Sequence, residues 1–303
     1  MQPPTQPPTL LAVPNVSEGR DAATIAAVAA AITGARVLDV HSDHDHHRSV
    51  YTLAGTPGEL ADALLAGARV ALERIDVVAR AHHDPSLRGQ HPHVGAVDVM
   101  PIVYLRECDR GAACAEALVV ADRVGHELQV PVFLYGELTE GPSGAPRSRA
   151  ELRRGGVAGL MSRMGELRPD FGPPRLHPTA GATLVAARPP LVAFNLQLAA
   201  PATLAEARVV AARIREGGEE GLPGLRAIGV ELGGGVAQVS MNVERPFEVP
   251  LVLIVEAVRR HAPVHSAELV GLAPAAALEG FPEDLPMPGF DSARHVLENA
   301  LGW

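Results

Sequence analysis

Apolar positions along this chain fall into two patterns: short β-branched runs of the kind that strands bury, and longer stretches with the period of helices. Leu10 to Val13 reads as a short strand, and Asp21 is placed to cap an alanine-rich helix to about Ile32, its carboxylate accepting from the first free amides. Arg36 to Val40 and Ser49 to Ala54 predict two strands on either side of a charged loop. Thr56-Pro57-Gly58-Glu59 has the form of a capping box with proline at the first helical position, which predicts a helix to about Ile75. A strand from Val97 to Leu105 closes a β-α-β-β-α-β order, the ferredoxin-like split βαβ pattern, and a helix near 111 to 128 and a strand from Val132 to Tyr135 are appended to it.

The second half repeats that order without obvious sequence repetition: Leu191 to Leu198, a helix near Thr203 to Glu216, strands at Leu225 to Leu232 and Val236 to Val243, a helix from Glu248 to His261, and Val264 to Leu269. Gly233-Gly234-Gly235 reads as a tight hairpin between the two central strands, because glycine takes the positive φ angles such turns demand. The expected class is therefore α/β (α+β), with two ferredoxin-like βαββαβ subdomains of mixed sheets packed together. The expected divisions are a disordered lead over 1–9, an N-terminal subdomain over 10–189 and a C-terminal subdomain over 190–303. Between the halves, Gly141 to Gly181 is rich in glycine, proline and arginine and has little periodicity. Its motif DFGPPRLHPTAGA, with rigid prolines, permissive glycines and two cation-capable side chains, reads as a wall around a flat ligand rather than as a mobile linker.

Composition narrows the possible functions. Aromatics make up 3% of the 303 residues, so aliphatic side chains must fill the cores. The formal charge is −9, and no run of lysine or arginine is interleaved with aromatics, which argues against a nucleic-acid partner. The two cysteines, Cys108 and Cys114, are too close in sequence to close a useful loop and read as reduced thiols, which fits a cytoplasmic setting. The lead MQPPTQPPT has no signal-peptide core, and no apolar run is long enough to predict a membrane span.

Four clusters carry candidate chemistry, each beside a strand: VPNVSEGR (13–20), HSDHDHHR (41–48), RGQHPHVGAVD (88–98) and DFGPPRLHPTAGA (170–182). The first offers an amide, a hydroxyl and a guanidinium at a strand-to-helix turn, where free helix amides could also meet an anion. The second invites a metal reading, but ligands at one-residue spacing in a loop rarely hold a rigid coordination sphere, and no HExxH or paired CxxC complements them, so no metal is expected. It reads better as a substrate loop anchored by Arg48, and the pair His82-His83 as surface loop. In the third, Pro92 restricts His91 to extended backbone and aims its ring, Gly95 allows a close approach, and Asp98 is suited to orient an imidazole or bind an ammonium. His91 can move a proton near neutral pH, although the residues alone leave a structural histidine equally open.

Taken in order, VPNVSEGR, HHRSVYTLAG, GQHPHVGAVDV, VPVFLYGE, DFGPPRLHPTAGAT, LVAFNLQL and AQVSMN resemble the glutamate formiminotransferase family along nearly the whole chain. The resemblance implies a homodimeric, cytoplasmic enzyme of one-carbon metabolism and histidine degradation, with its ligands between two α/β subdomains. It would transfer a formimino group from N-formimino-L-glutamate to tetrahydrofolate, the folate being a co-substrate, with no metal and no nucleic-acid or membrane partner. The catalytic histidine falls on His91. The folate-contacting segment falls on Gly172, Pro173, Pro174, Arg175, Leu176, His177, Pro178, Thr179, Ala180 and Gly181. Asn15, Arg20, Arg48 and Asp98 are the candidates for substrate binding, and Arg20, Arg48 and Arg175 for its carboxylates. The end at Trp303 suggests a freestanding form without the cyclodeaminase domain fused in bifunctional members.

The chain also departs from the family pattern. His93 stands where an arginine usually follows the His-Pro pair, and His47 where an asparagine usually precedes the arginine. AHHDPSLRGQ is longer than the usual approach to the histidine, and LHPTAGA replaces a segment with an aromatic before glycine. A histidine in place of a fixed cation weakens anion binding above neutral pH, which bears on substrate identity more than on fold. The alternatives are another folate one-carbon enzyme, by formyl transfer or ATP-dependent 5-formyltetrahydrofolate cyclisation, and a non-catalytic folate-binding relative.

Overall fold

A proline divides the first strand at the centre of the N-terminal sheet. In the computed structural model, which describes residues 7–83, 92–139 and 146–303, β1 (Leu10–Ala12) and β2 (Asn15–Val16) lie on either side of Val13-Pro14. Pro14 has no N–H for the ladder, but its carbonyl accepts from Tyr51 N at 3.1 Å. α1 (Ala22–Ala31) starts at Asp21, whose carboxylate accepts from Ala23 N as its position predicts. β3 (Arg36–Asp43) and β4 (Arg48–Gly55) form a longer hairpin than the periodicity suggests, since pairing runs on to Asp43 opposite Arg48 through half of the supposed loop.

α2 (Glu59–Arg74) corrects the predicted cap. Gly58, at φ 91°, occupies the capping position, and Thr56 and Pro57 stand outside the helix. Glu59 reaches back to Thr56 N at 2.9 Å, but Thr56 does not cap in return. Instead the buried carboxylate of Glu116, on a later helix, accepts from Gly58 N at 2.9 Å and from Ala61 N at 2.8 Å. An ionised acceptor at the positive end of a helix forms a stronger bond than a hydroxyl.

α3 (Val77–His83) takes in His82 and His83, which the sequence suggests as loop. Its first turn is capped by Asp76, which accepts from Ala79 N at 2.8 Å, and by the carbonyl of Thr179, which accepts from Val77 N at 3.0 Å. β5 (Val97–Val103), α4 (Arg110–Glu127) and β6 (Val132–Leu134) follow as predicted within a few residues. α5 (Arg149–Leu152), α6 (Gly156–Arg163) and β7 (Thr183–Arg188) are not predicted. β7 pairs in parallel with both β5 and β6, and such a strand, buried on both faces, shows no alternation.

The sheet order across this unit is β3, β4, the divided β1 and β2, β5, β7, β6. Its antiparallel part is the ferredoxin-like core, and the parallel additions make it mixed. One face packs Leu53, Met100 and Ile102 against Leu60, Leu64 and Leu65 of α2 and Val120 of α4. Each fully buried side chain of this kind contributes about 1.5–3 kcal/mol. On the other face Val99, Phe133, Leu184 and Ala186 meet Leu152 and Leu160, so α5 and α6 cover the sheet where an irregular wall is expected.

The chain divides into two compact units, Met1–Pro189 and Pro190–Trp303. The second contains β8 (Val192–Leu198), α7 (Leu204–Ile214), β9 (Leu225–Glu231), β10 (Ala237–Val243), α8 (Leu251–Arg259) and β11 (Val264–Val270). Its sheet, in the order β11, β8, β10, β9, is antiparallel throughout rather than mixed, because it lacks the appended crossover that supplies the parallel strands of the first. Gly234 and Gly235, at φ 75° and 78°, make the predicted turn between β9 and β10. Two short helices that the sequence pattern does not reveal, α9 (Ser292–His295) and α10 (Leu297–Leu301), end the chain. No helix among the described residues is long and apolar enough to cross a membrane.

Candidate active site

The turn from β2 into α1 is tied down by its own glutamate. Glu18, 3% exposed, accepts from Arg20 N at 2.9 Å and Asp21 N at 3.0 Å, and from the Arg80 guanidinium of α3 at 2.5 Å. Burial would raise its pKa, but the two amides and the Arg80 cation outweigh that and hold the carboxyl below the usual range. Arg80 also donates to Ser17 O at 2.8 Å, and Ser17 donates to Gly95 O at 2.7 Å. At this turn and the start of α1 four amides meet protein groups: Gly19 N donates to His47 Nδ1 at 3.1 Å, Arg20 N and Asp21 N donate to Glu18, and Ala23 N donates to Asp21.

His46 and His47, at the end of the predicted charged loop, are both buried. The reason lies in Gly19: a Cβ there would stand 2.1 Å from Asp43 O and 2.6 Å from Arg48 N, so the SEGR turn lies directly on the β3–β4 hairpin. Burial, reinforced by Arg80, Arg20 and His93 and opposed by Glu18, lowers the His47 pKa to about 4, and the ring is neutral at neutral pH. Among the described residues no group of three or more His, Cys, Asp or Glu is placed to hold a metal ion.

The approach to β5 is fixed by a buried ion pair. One oxygen of Asp98 accepts from Val94 N at 2.7 Å, and the other accepts from the guanidinium of Arg153 at the end of α5. Both oxygens of the carboxylate expected to serve a substrate are thus engaged by the protein. Gly95 permits a close approach, as expected, and the group that approaches is backbone: a Cβ on Gly95 would stand 1.7 Å from Ala182 O.

Asn15, Val16, Ser17, His46, His47, Arg48, Pro92, His93, Asp98 and Arg153 line one cleft. Three of the four sequence clusters meet there, although they are far apart in the chain. Asn15, Arg48 and Asp98 are among the residues that the sequence singles out. Arg20 is not in the lining and donates from Nε to His44 O at 3.0 Å. His91, immediately before Pro92, lies outside the described residues. Arg153 escapes sequence reasoning; an Arg-Arg pair ahead of Gly155-Gly156 in the irregular segment is the only cue.

Residues 172–181 do not line this cleft. The segment leaves Asp170, which accepts from Leu134 N at 2.8 Å and pairs with Arg147 at 2.6 Å. It returns to the sheet where Ala180 O accepts from Ala96 N at 2.9 Å. His177 Nδ1 accepts from Ala180 N at 3.0 Å, and burial lowers its pKa. The ring is thus a neutral turn-former rather than a cation, while Pro174 and Arg175 are exposed.

Residues 9–188 match the formiminotransferase domain, N-terminal subdomain. The chain is 36% identical to the glutamate formimidoyltransferase of Streptococcus pyogenes serotype M1, over 95% of this chain and 97% of the relative. It is 32% identical to the glutamate formimidoyltransferase of Thermoplasma acidophilum, over 95% and 96% respectively. With the formimidoyltransferase-cyclodeaminase of Rattus norvegicus the identity is 37% over 88% of this chain, which spans 50% of that relative.

Proposed function

This chain belongs to the formiminotransferase family, and from that premise we propose that it is a folate-dependent transferase. It moves the formimino group of N-formimino-L-glutamate to tetrahydrofolate, giving 5-formiminotetrahydrofolate and L-glutamate. The observation that carries the reading is the meeting of three separated family motifs on one cleft, with Pro92 and His93 in its lining.

In this reading N5 of the reduced pterin attacks the formimino carbon, a tetrahedral adduct forms, and the glutamate nitrogen leaves. His91, next in the chain to Pro92, takes the N5 proton and returns it to the departing nitrogen, a base-then-acid cycle that contributes about 10²- to 10⁴-fold. Holding both substrates in contact contributes at least as much. Arg48, at the start of β4 and in the lining, is the best-placed of the carboxylate candidates. Residues 172–181 are assigned to the folate, 10–189 and 190–303 to the two transferase subdomains, and the assembly to a cytoplasmic homodimer.

The test supplies tetrahydrofolate and N-formimino-L-glutamate to the full chain and follows the formimino-folate product. Wild type turns over, and His91→Ala loses about 10²-fold or more in kcat. No product from wild type removes the substrate assignment, and full activity in the variant removes the proton-transfer role.

A further inference from the structure

His47 is one of the cleft residues to which this reaction gives no task. Its φ of 49° lies in the left-handed region, where a non-glycine residue persists only if its surroundings hold it. The ring supplies the hold, because Nδ1 accepts the Gly19 N–H at 3.1 Å. A neutral imidazole nitrogen that accepts carries no proton, so the ring proton is on Nε2. The 3.4 Å separation between Nδ1 and Glu18 Oε1 is accordingly no ion pair: the lone pair of Nδ1 is used by Gly19, and Glu18 is satisfied by Arg20 N, Asp21 N and Arg80. Gly19 has no room to shift toward the hairpin, and Glu18 fixes the turn from the other side. The Gly19 N–H that orients the ring is therefore itself constrained.

His47 lines the cleft beside Arg48, and the charges of Arg153 and Asp98 in the same lining offset each other as an ion pair, which leaves a net positive charge from Arg48. Such a lining favours an anionic group, and a carboxylate that meets a guanidinium retains further lone pairs for a second donor. We infer that His47 is a substrate-binding residue whose neutral Nε2–H donates to a carboxylate oxygen of the one-carbon donor, beside Arg48. The inference rests on the formimino-transfer reading above.

Nitrogen-15 NMR of the full-length protein tests it. The free protein shows His47 as the Nε2–H tautomer between pH 6 and 8, and saturation with formiminoglutamate moves that proton downfield and slows its exchange with water. His47→Phe, which keeps the ring and removes both nitrogens, weakens formiminoglutamate binding by about tenfold or more, the scale of one hydrogen bond to a charged group, and leaves tetrahydrofolate binding unchanged. His47→Asn tolerates the left-handed backbone and still offers Gly19 an acceptor, and its stability shows that the backbone itself survives. A proton on Nδ1, or an Nε2–H signal unmoved at saturation, overturns the inference and leaves formimino transfer standing. No binding of formiminoglutamate to wild type overturns both.

Discussion

Arg153, at the end of a four-residue helix, donates from Nη2 to Asp98, and the other oxygen of that carboxylate takes the backbone N–H of Val94 at 2.7 Å. The pair joins the helices over one face of the sheet to the strand approach that carries Pro92 and His93. Asp98 is 4% exposed, so removing the cation alone leaves a nearly buried negative charge. Arg153→Met is expected to destabilise the protein by about 3 kcal/mol, and the double variant with Asp98→Asn to recover much of that. Urea unfolding of both variants checks the order; equal losses in the single and double variants would show that the charge is not the cause.

Glu116 caps a helix to which it does not belong. Its carboxylate is the acceptor for Gly58 N and Ala61 N, so Glu116→Ala strands two amides at the start of α2. A loss of about 2 kcal/mol is expected, with Glu116→Gln in between because an amide oxygen still accepts but carries no charge. Denaturation at low and high salt measures both, and the buried setting predicts little salt dependence.

His47 makes stability depend on pH in a defined window. Its folded-state pKa is about 4, below the unfolded value of about 6.5. Between these values the unfolded chain binds more protons, so stability falls as pH drops from about 6.5 toward 4, at up to about 1.4 kcal/mol per pH unit for one proton. His177 is shifted in the same direction and adds to this slope. Glu18, lowered as a carboxylate, contributes only below its unfolded range near pH 4.5. The contribution of His47 is therefore the difference between wild type and His47→Asn at pH 7, 6 and 5, and parallel curves would contradict the assignment.

The elements legible in the sequence are those with local signals: the Asp21 cap, the Gly234-Gly235 turn, and the βαββαβ order in both halves. The elements that the pattern does not reveal are decided at a distance. Gly58 replaces Thr56 as the cap because Glu116 arrives from another helix, and β7 has no alternation because it is covered on both faces. The site divides in the same way. Asn15, Arg48 and the His-Pro-His motif stand out by residue type, but the burial of His47 depends on Gly19, 28 residues away, and Asp98 meets Arg153 across 55 residues. No spacing rule encodes either pair.

Two glycines make the final test of how closely the backbones pack around the cleft. At Gly95 a methyl group would stand 1.7 Å from Ala182 O, and the atom it meets is backbone in the Gly95–Gly181 bridge, which has no rotamer to yield. Gly95→Ala is expected to cost about 3 kcal/mol or more, since the strand approach behind Pro92 and His93 must move as a unit. Gly111 provides the opposite case: it sits in the first turn of α4 without a positive φ, and a methyl group there would meet nothing within 4 Å. Gly111→Ala should raise stability by about 0.5–1 kcal/mol through helix propensity and a less free unfolded chain. Thermal unfolding of both variants, with formiminoglutamate affinity as a second readout, separates the two effects. If Gly95→Ala were as stable as wild type, the close backbone contact that holds the Pro92–His93 approach against the Gly181 turn would be wrong.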